Sequence, residues 1–371
     1  MCACNDPIFY AISQEVVPVD PRIEGSPTNF AVYKDSMYVA SGSSIHIYKD
    51  KNWHKGDKPG GNILQIAATG NYLYALCSQD QGSGTVSSVK RYNGTGWDEL
   101  GGDTDSYNMV QYIFAANDTV FIGAESSGVY NIFYVDDNVG AKEAVKNLSI
   151  SNSNLNAAGE LSGAVYQNTG PGTYYLCTVN SGIYMTQDPA QGAALVPDTT
   201  GIRFLGMICL DNPLKTILLI SRQGDLYALE TGAAVSKTGA SLNGRLASGA
   251  LAVWESVENP SRKLLLAGRQ DRLEYSFNSG YTYGYLELEL DYSTGNGISN
   301  NAEFREPGRI TPTSVEDNER FISTIGKHPV KYIFQTPSGI DNEMILFAST
   351  QKSGVWSYRE RGGMLQWNAE E

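Results

Sequence analysis

One phrase recurs about seven times along this chain, never in the same residues. An apolar run closes on small residues, a turn rich in Gly, Ser or Asn follows, and a short strand bearing an aromatic comes next. Val120-Phe121-Ile122-Gly123-Ala124 with Gly128-Val129-Tyr130 is a clear copy. Tyr174-Tyr175-Leu176-Cys177-Thr178 with Gly182-Ile183-Tyr184 is a second, and Ile345-Leu346-Phe347-Ala348-Ser349 with Gly354-Val355-Trp356 a third. Aligned on the apolar strand, the copies anchor at Tyr38, Tyr74, Phe121, Tyr175, Leu218, Leu265 and Leu346. Most intervals fall at about 36–54 residues, the spacing of a repeated four-strand unit that cannot bury its own faces and stacks against its neighbours. The pattern predicts an all-β chain forming a seven-bladed β-propeller over residues 28–371. Six or eight blades are the alternatives, because the long interval from Leu265 to Leu346 has room to hide a repeat.

Within each copy the punctuation is consistent. Lys34-Asp35-Ser36, Thr69-Gly70-Asn71, Ala116-Asn117-Asp118, Asp211-Asn212-Pro213 and Glu258-Asn259-Pro260 occupy equivalent places between the first and second strands. These are hairpin compositions. Second strands such as Ile217-Leu218-Leu219-Ile220 are apolar on both faces, as strands covered by sheets on both sides must be. Trp53 begins a fourth strand, and Met364–Asn368 is the expected last strand of the ring. Gly140–Leu148 is the only helix-like stretch. From about 292 to 319 the pattern lapses into Gly, Asn, Pro and charged residues, which predicts a long projecting loop of the kind that is functional or disordered. Residues 1–27 read as a separate segment, with one strand at Ile8–Ile12 and a spacer around Pro18, Pro21 and Pro27.

Composition narrows the function classes. The net charge is −13, without a dense run of Lys or Arg, so a phosphate-binding surface and nucleic acid partners are excluded. No apolar run is long enough to cross a bilayer. Cys77, Cys177 and Cys209 sit in apolar strand patterns, where a free thiol acts as a small hydrophobe. No Cys/His spacing suggests a metal site, and no cofactor is implied.

The other two cysteines stand in Met1-Cys2-Ala3-Cys4-Asn5-Asp6. Ala3-Cys4 resembles the end of a bacterial lipoprotein signal, in which a small residue precedes the acylated Cys. The resemblance implies a trimmed precursor lipidated on Cys4, with the Pro-bearing segment as tether. Met1 stands where Leu is usual, and the upstream half of the motif is missing. A second resemblance is carried by Ser276-Phe277-Asn278-Ser279-Gly280-Tyr281-Thr282-Tyr283, which is similar to the Asp-box of sialidase-like propellers. Asn278 stands for the Asp and Tyr283 for the Trp, and Asn can still close the side-chain-to-backbone turn. In those families the box is structural. As a whole the chain resembles uncharacterised propeller lipoproteins of bacterial cell envelopes, of spirochaetal type among others. That implies a location in the envelope, contact with membrane only through the lipid, and no inherited catalytic residues.

Enzyme signatures are absent from the sequence: there is no nucleophile elbow, phosphate loop or dinucleotide fingerprint. His46, His54 and His328 are scattered, and His46 reads as an ordinary strand residue. Glu287, Glu289 and Asp291 alternate on one strand, which predicts a solvated acidic face. Asp291–Gly297 has alternate oxygen-bearing residues but places Asn296 where a calcium loop of the EF-hand type needs Gly, so it reads as a polar loop. Tyr281, Tyr283 and Tyr285 alternate and are the candidate ligand-binding rings, the competing reading being packing between blades. The expected function is a monomeric, non-catalytic scaffold that binds an envelope protein or a glycan. The alternative is a sialidase-like glycan hydrolase or lyase, which would need Arg and carboxylates converging on the central depression of one face.

Overall fold

The computed structural model describes residues 23–370, except 81, 83, 103–108, 151–159, 180, 231–233, 256–258, 260, 271–283, 300–301, 308–324, 326–327, 342 and 362–363. Each repeat closes into an antiparallel sheet because its turn residues accept left-handed backbone. Lys34 and Asp35 have φ of 47° and 56°, and Ser127 and Gly128 have 52° and 81°. Two successive positive φ values match the twist of flanking strands, which is why two-residue hairpins favour them.

Seven such sheets result. Blade 1 comprises β1 (Ala31–Tyr33), β2 (Ser36–Ser41), β3 (Ser44–Lys49) and β4 (Asn52–Lys55); blade 2 comprises β5 (Asn62–Ala68), β6 (Leu73–Asp80), β7 (Thr85–Tyr92) and β8 (Trp97–Glu99). Blade 3 holds β9 (Met109–Ala116), β10 (Thr119–Ser126), β11 (Val129–Val135) and β12 (Val145–Asn147); blade 4 holds β13 (Glu160–Gln167), β14 (Thr173–Val179), β15 (Gly182–Thr186) and β16 (Ala194–Leu195). Blade 5 runs through β17 (Phe204–Cys209), β18 (Ile217–Ser221), β19 (Asp225–Leu229) and β20 (Ser236–Ser241). Blade 6 has β21 (Ala247–Glu255), β22 (Lys263–Arg269) and β23 (Tyr285–Leu290); blade 7 has β24 (Val330–Gln335), β25 (Leu346–Thr350), β26 (Val355–Arg361) and β27 (Met364–Ala369). The chain is a seven-bladed β-propeller.

The core is not central. It is divided into seven apolar clusters, one at each junction between neighbouring blades. The second strands explain this arrangement: all of Ile217–Ser221 and all of Leu346–Thr350 are buried, because each face meets a different neighbour. Blades 1 and 7 are each built from consecutive strands, so no strand crosses the seam that closes the ring. Side chains close it instead, together with the segment that leads into β1. Phe347 meets Tyr48 and Trp53 edge-on with ring centres 5.1 and 5.7 Å apart. Glu370, fully buried, accepts from Trp53 Nε1 at 2.7 Å and from Arg359 Nη2 at 3.0 Å, with Ser357 donating to its other oxygen. Ile23 is buried in the same cluster, and its carbonyl accepts the Val355 N–H at 3.1 Å. The packed body therefore begins before residue 28.

Three local expectations are corrected. Gly140–Leu148 is a short 3-10 turn (Ala141–Glu143) followed by β12, because this stretch must complete blade 3. Glu287 does not share a solvated face with Glu289: it has no exposed surface, because its side chain lies on the face that Tyr285 and Leu266 turn toward blade 7, and blade 6 is also covered at its outer edge. There Arg305 exchanges both backbone hydrogen bonds with Glu287, each at 2.8 Å, and Ile298 and Phe304 pack into the junction of blades 5 and 6. The irregular interval thus starts as an outer layer of blade 6, in place of a fourth strand. Asp291 closes its own turn, accepting from Ser293 N at 3.0 Å and Ser293 Oγ at 2.6 Å.

Candidate functional site

The innermost strand of each blade is its first. Six of these seven strands break their pairing with the second strand near their start. Leu64, Gln111, Ser162, Leu205 and Lys331 each stand opposite no partner, and in β21 the stretch Ser248–Ala250 is set against Gly268 alone. A bulge adds a residue to one strand, bends it and re-aims its side chains. Six bulges at equivalent positions ring the axis.

Glycines allow the bulged strands to approach one another. A Cβ on Gly206 would run into the Gly249 carbonyl oxygen, and one on Gly249 would stand 2.5 Å from the Leu205 carbonyl oxygen. Side chains then tie neighbouring inner strands as a ladder would. Asn29 gives to the Ile66 carbonyl at 2.6 Å and accepts from its N–H at 3.0 Å, and Gln65 accepts from Ile113 N at 3.0 Å. Gln335 does the same with Glu255, at 3.2 and 3.0 Å.

Inside this ring lies an axial cavity of about 360 Å³, lined from all seven blades. Its walls are aromatic. Tyr112 and Phe114 alternate on β9 and stack with centres 6.4 Å apart, and Phe30 stacks on Phe334 at 6.2 Å. Two charged groups reach it, both near strand starts: Glu160 at the head of β13 and Lys331 at the bulge of β24. Tyr112 donates its hydroxyl to Glu160 Oε1. Burial holds the Tyr112 and Tyr332 hydroxyls well above the usual tyrosine range, with the carboxylate of Glu160 adding to the effect at Tyr112. Burial likewise lowers the Lys331 ammonium below the usual lysine range, and no neighbouring charge offsets it.

The face on which first strands begin, here the upper face, also carries the second-to-third hairpins and the links between blades. Three of the longest connections, over 100–108, 148–159 and 270–284, join strand ends on this face, whereas 291–329 starts from the opposite end of blade 6. Five of the seven exposed large apolar side chains belong to it: Leu64, Val86, Met109, Val129 and Leu246.

Of the sequence-predicted site residues, Tyr285 is the one among the described residues. Tyr285 is fully buried between blades 6 and 7, its hydroxyl accepting from Trp367 Nε1 at 3.1 Å, so its ring packs between blades and faces no ligand. Tyr281, Tyr283, the Asp-box-like stretch 276–283 and Cys4 lie outside the described residues. Among the described residues Glu160 is the one carboxylate lining the cavity, and no Arg lines it. The mouth went unnoticed because its residues are ordinary strand members. The legible signal was the Ser-Gly-Ala that recurs at 162–164 and 248–250, a small-residue mark of inner strands crowded at the axis.

No protein-family model matches the chain, and no protein of curated function matches it in sequence. Its fold is shared with solved structures. The extracellular domain of a hybrid two component system from B. thetaiotaomicron superposes with TM-score 0.52 at 13% identity, over 91% of this chain and 39% of that one. An ancestral GH74 enzyme gives 0.62 at 14%, over 94% and 47%. YCF48 bound to D1 peptide gives 0.50 at 12%, over 92% and 94%. The chain spans less than half of the first two. At these identities the likeness establishes the propeller and nothing finer. No helix among the described residues is long and apolar enough to cross a membrane.

Proposed function

We propose that this protein is a non-catalytic binding scaffold of a bacterial cell envelope, tethered through Cys4, whose upper face takes a protein or glycan partner. The observation that carries this reading is the exposure of Leu64, Val86, Met109, Val129 and Leu246 on the face at which the first strands begin. Isolated apolar side chains are common on surfaces, but a group on one face marks an interaction site. The glycosidase reading is disfavoured by the channel mouth, since acid–base cleavage of a glycan needs a pair of carboxylates and Glu160 stands alone among the described lining residues.

The test is capture from envelope extracts by the wild type, by Met109→Lys/Val129→Lys, and by Met185→Lys/Leu214→Lys away from the upper face. Loss with the first pair and retention with the second supports the reading. Equal capture by all three refutes the assignment of the face. For the tether, cells fed labelled fatty acid should label the full-length protein and leave Cys4→Ala unlabelled; an unlabelled wild type would refute it.

A further inference from the structure

We propose that the mouth of the axial channel binds a small zwitterion with an apolar or aromatic side chain, of the α-amino acid class. Lys331 would hold its carboxylate, Glu160 its ammonium, and the aromatic walls its side chain. This rests on the non-catalytic reading of the same mouth and names the ligand chemistry.

The argument begins with the two charges. Glu160 and Lys331 stand on blades 4 and 7, and both line the one cavity. They form no ion pair with each other or with any described residue. The contact seen for the Lys331 ammonium is the ring of its neighbour Tyr332, 5.6 Å away. Glu160 Oε1 accepts from the Tyr112 hydroxyl, and its second oxygen has no partner among the described residues. A half-buried ammonium and a half-satisfied carboxylate are costly to keep in an aromatic cavity, since a charge removed from water without a partner loses its solvation. A ligand bearing one charge of each sign satisfies both.

A ligand with a single charge satisfies one group and leaves the other desolvated. The same cavity is lined by Tyr112, Phe114, Phe30, Tyr332 and Phe334, surfaces suited to a flat or branched apolar side chain. The volume of about 360 Å³ lies in the small-ligand range. The whole protein carries −13, a field that discourages anions, whereas a zwitterion approaches with no net charge.

The test uses three probes: L-phenylalanine, L-phenylalaninamide, which lacks the carboxylate, and 3-phenylpropionate, which lacks the ammonium. Calorimetry and saturation-transfer NMR are run on the wild type, Lys331→Met and Glu160→Gln. Phenylalanine should bind the wild type at least about tenfold more tightly than either truncated probe, the effect of one unpaired buried charge. Lys331→Met should abolish the preference over the amide, and Glu160→Gln the preference over phenylpropionate. Equal affinities for the three probes on the wild type, or no binding up to about 10 mM on the scale of millimolar ligand affinities, would overturn the proposal. The wild-type series decides even if a variant fails to fold. Failure here with capture by the upper face intact overturns the ligand class alone. Recovery of a chemically altered probe overturns the non-catalytic reading.

Discussion

Glu370 is the most informative residue to perturb, because the ring closes on it without a shared strand. Its carboxylate is fully buried and receives Trp53 Nε1 from blade 1 and Ser357 and Arg359 from blade 7, while Arg359 Nη1 donates to Tyr48 Oη at 3.1 Å. Burial raises the Tyr48 hydroxyl to about 12, so it stays protonated in this network at neutral pH. Glu370→Ala removes the anion and leaves the Arg359 guanidinium in a site that is mostly closed to water. Breaking a buried pair in this way costs about 3–5 kcal/mol. An unfolding entropy of about 2.1 cal/mol/K per residue gives roughly 0.8 kcal/mol/K for a chain of this size, so the midpoint should fall by about 4–6 °C. Glu370→Gln keeps the shape and some acceptors and should lose about half as much. Adding Arg359→Met to Glu370→Ala should recover part of the loss, because an apolar pair of similar volume avoids the stranded charge. Differential scanning calorimetry reads all three. A Glu370→Ala midpoint within about 1 °C of wild type, on the same entropy scale, would refute the view that this carboxylate latches blade 1 to blade 7.

Other outcomes follow from the same structure. Gly206→Ala should abolish soluble expression or cost several kcal/mol by overpacking, whereas Gly140→Ala, whose Cβ would meet open space, should leave the thermal midpoint near wild type. Because burial lowers the Lys331 ammonium, the folded state holds fewer protons than the unfolded chain as pH rises toward the ordinary lysine value; stability from this group therefore increases from neutral pH upward. Urea unfolding from pH 7 up to the ordinary lysine value of about 10.4 should show that increment in the wild type and lack it in Lys331→Met, with the variant no less stable at pH 7. Cys77, Cys177 and Cys209, pushed by burial to about 11, about 12 and about 11, should resist a thiol reagent at pH 8 until the protein is unfolded.

Much of the scaffold was legible because propeller physics writes itself into local patterns. Second strands are covered twice, so Ile217–Ser221 is apolar throughout, and hairpins need special φ, so Lys34-Asp35 and Asn117 appear where they do. Trp53 and the closing strand at 364–369 were placed by the same logic. Glu287 misled because period-2 alternation distinguishes two faces but cannot tell that the acidic one turns toward blade 7 at this position. Tyr285 misled for a related reason: an alternating aromatic reads alike whether it faces a ligand or Trp367 on the next blade. The channel mouth was hidden more deeply. Glu160 and Lys331 lie far apart in sequence and in unrelated local contexts, and only the closure of the ring brings both to one cavity.

The circle of bulges has a consequence for how such a mouth can change. In a regular strand, every side chain that points at the axis belongs to a residue whose backbone is fixed by its neighbour on the second strand. Of the bulge residues, Ser162, Leu205 and Lys331 line the channel and are released from that constraint. Replacing one of them alters what the channel presents without shifting the register that the blade junctions depend on. The molecule thus separates the residues that decide what it recognises from the residues that decide whether it folds, and a lineage of such propellers is free to exchange ligands while keeping its ring.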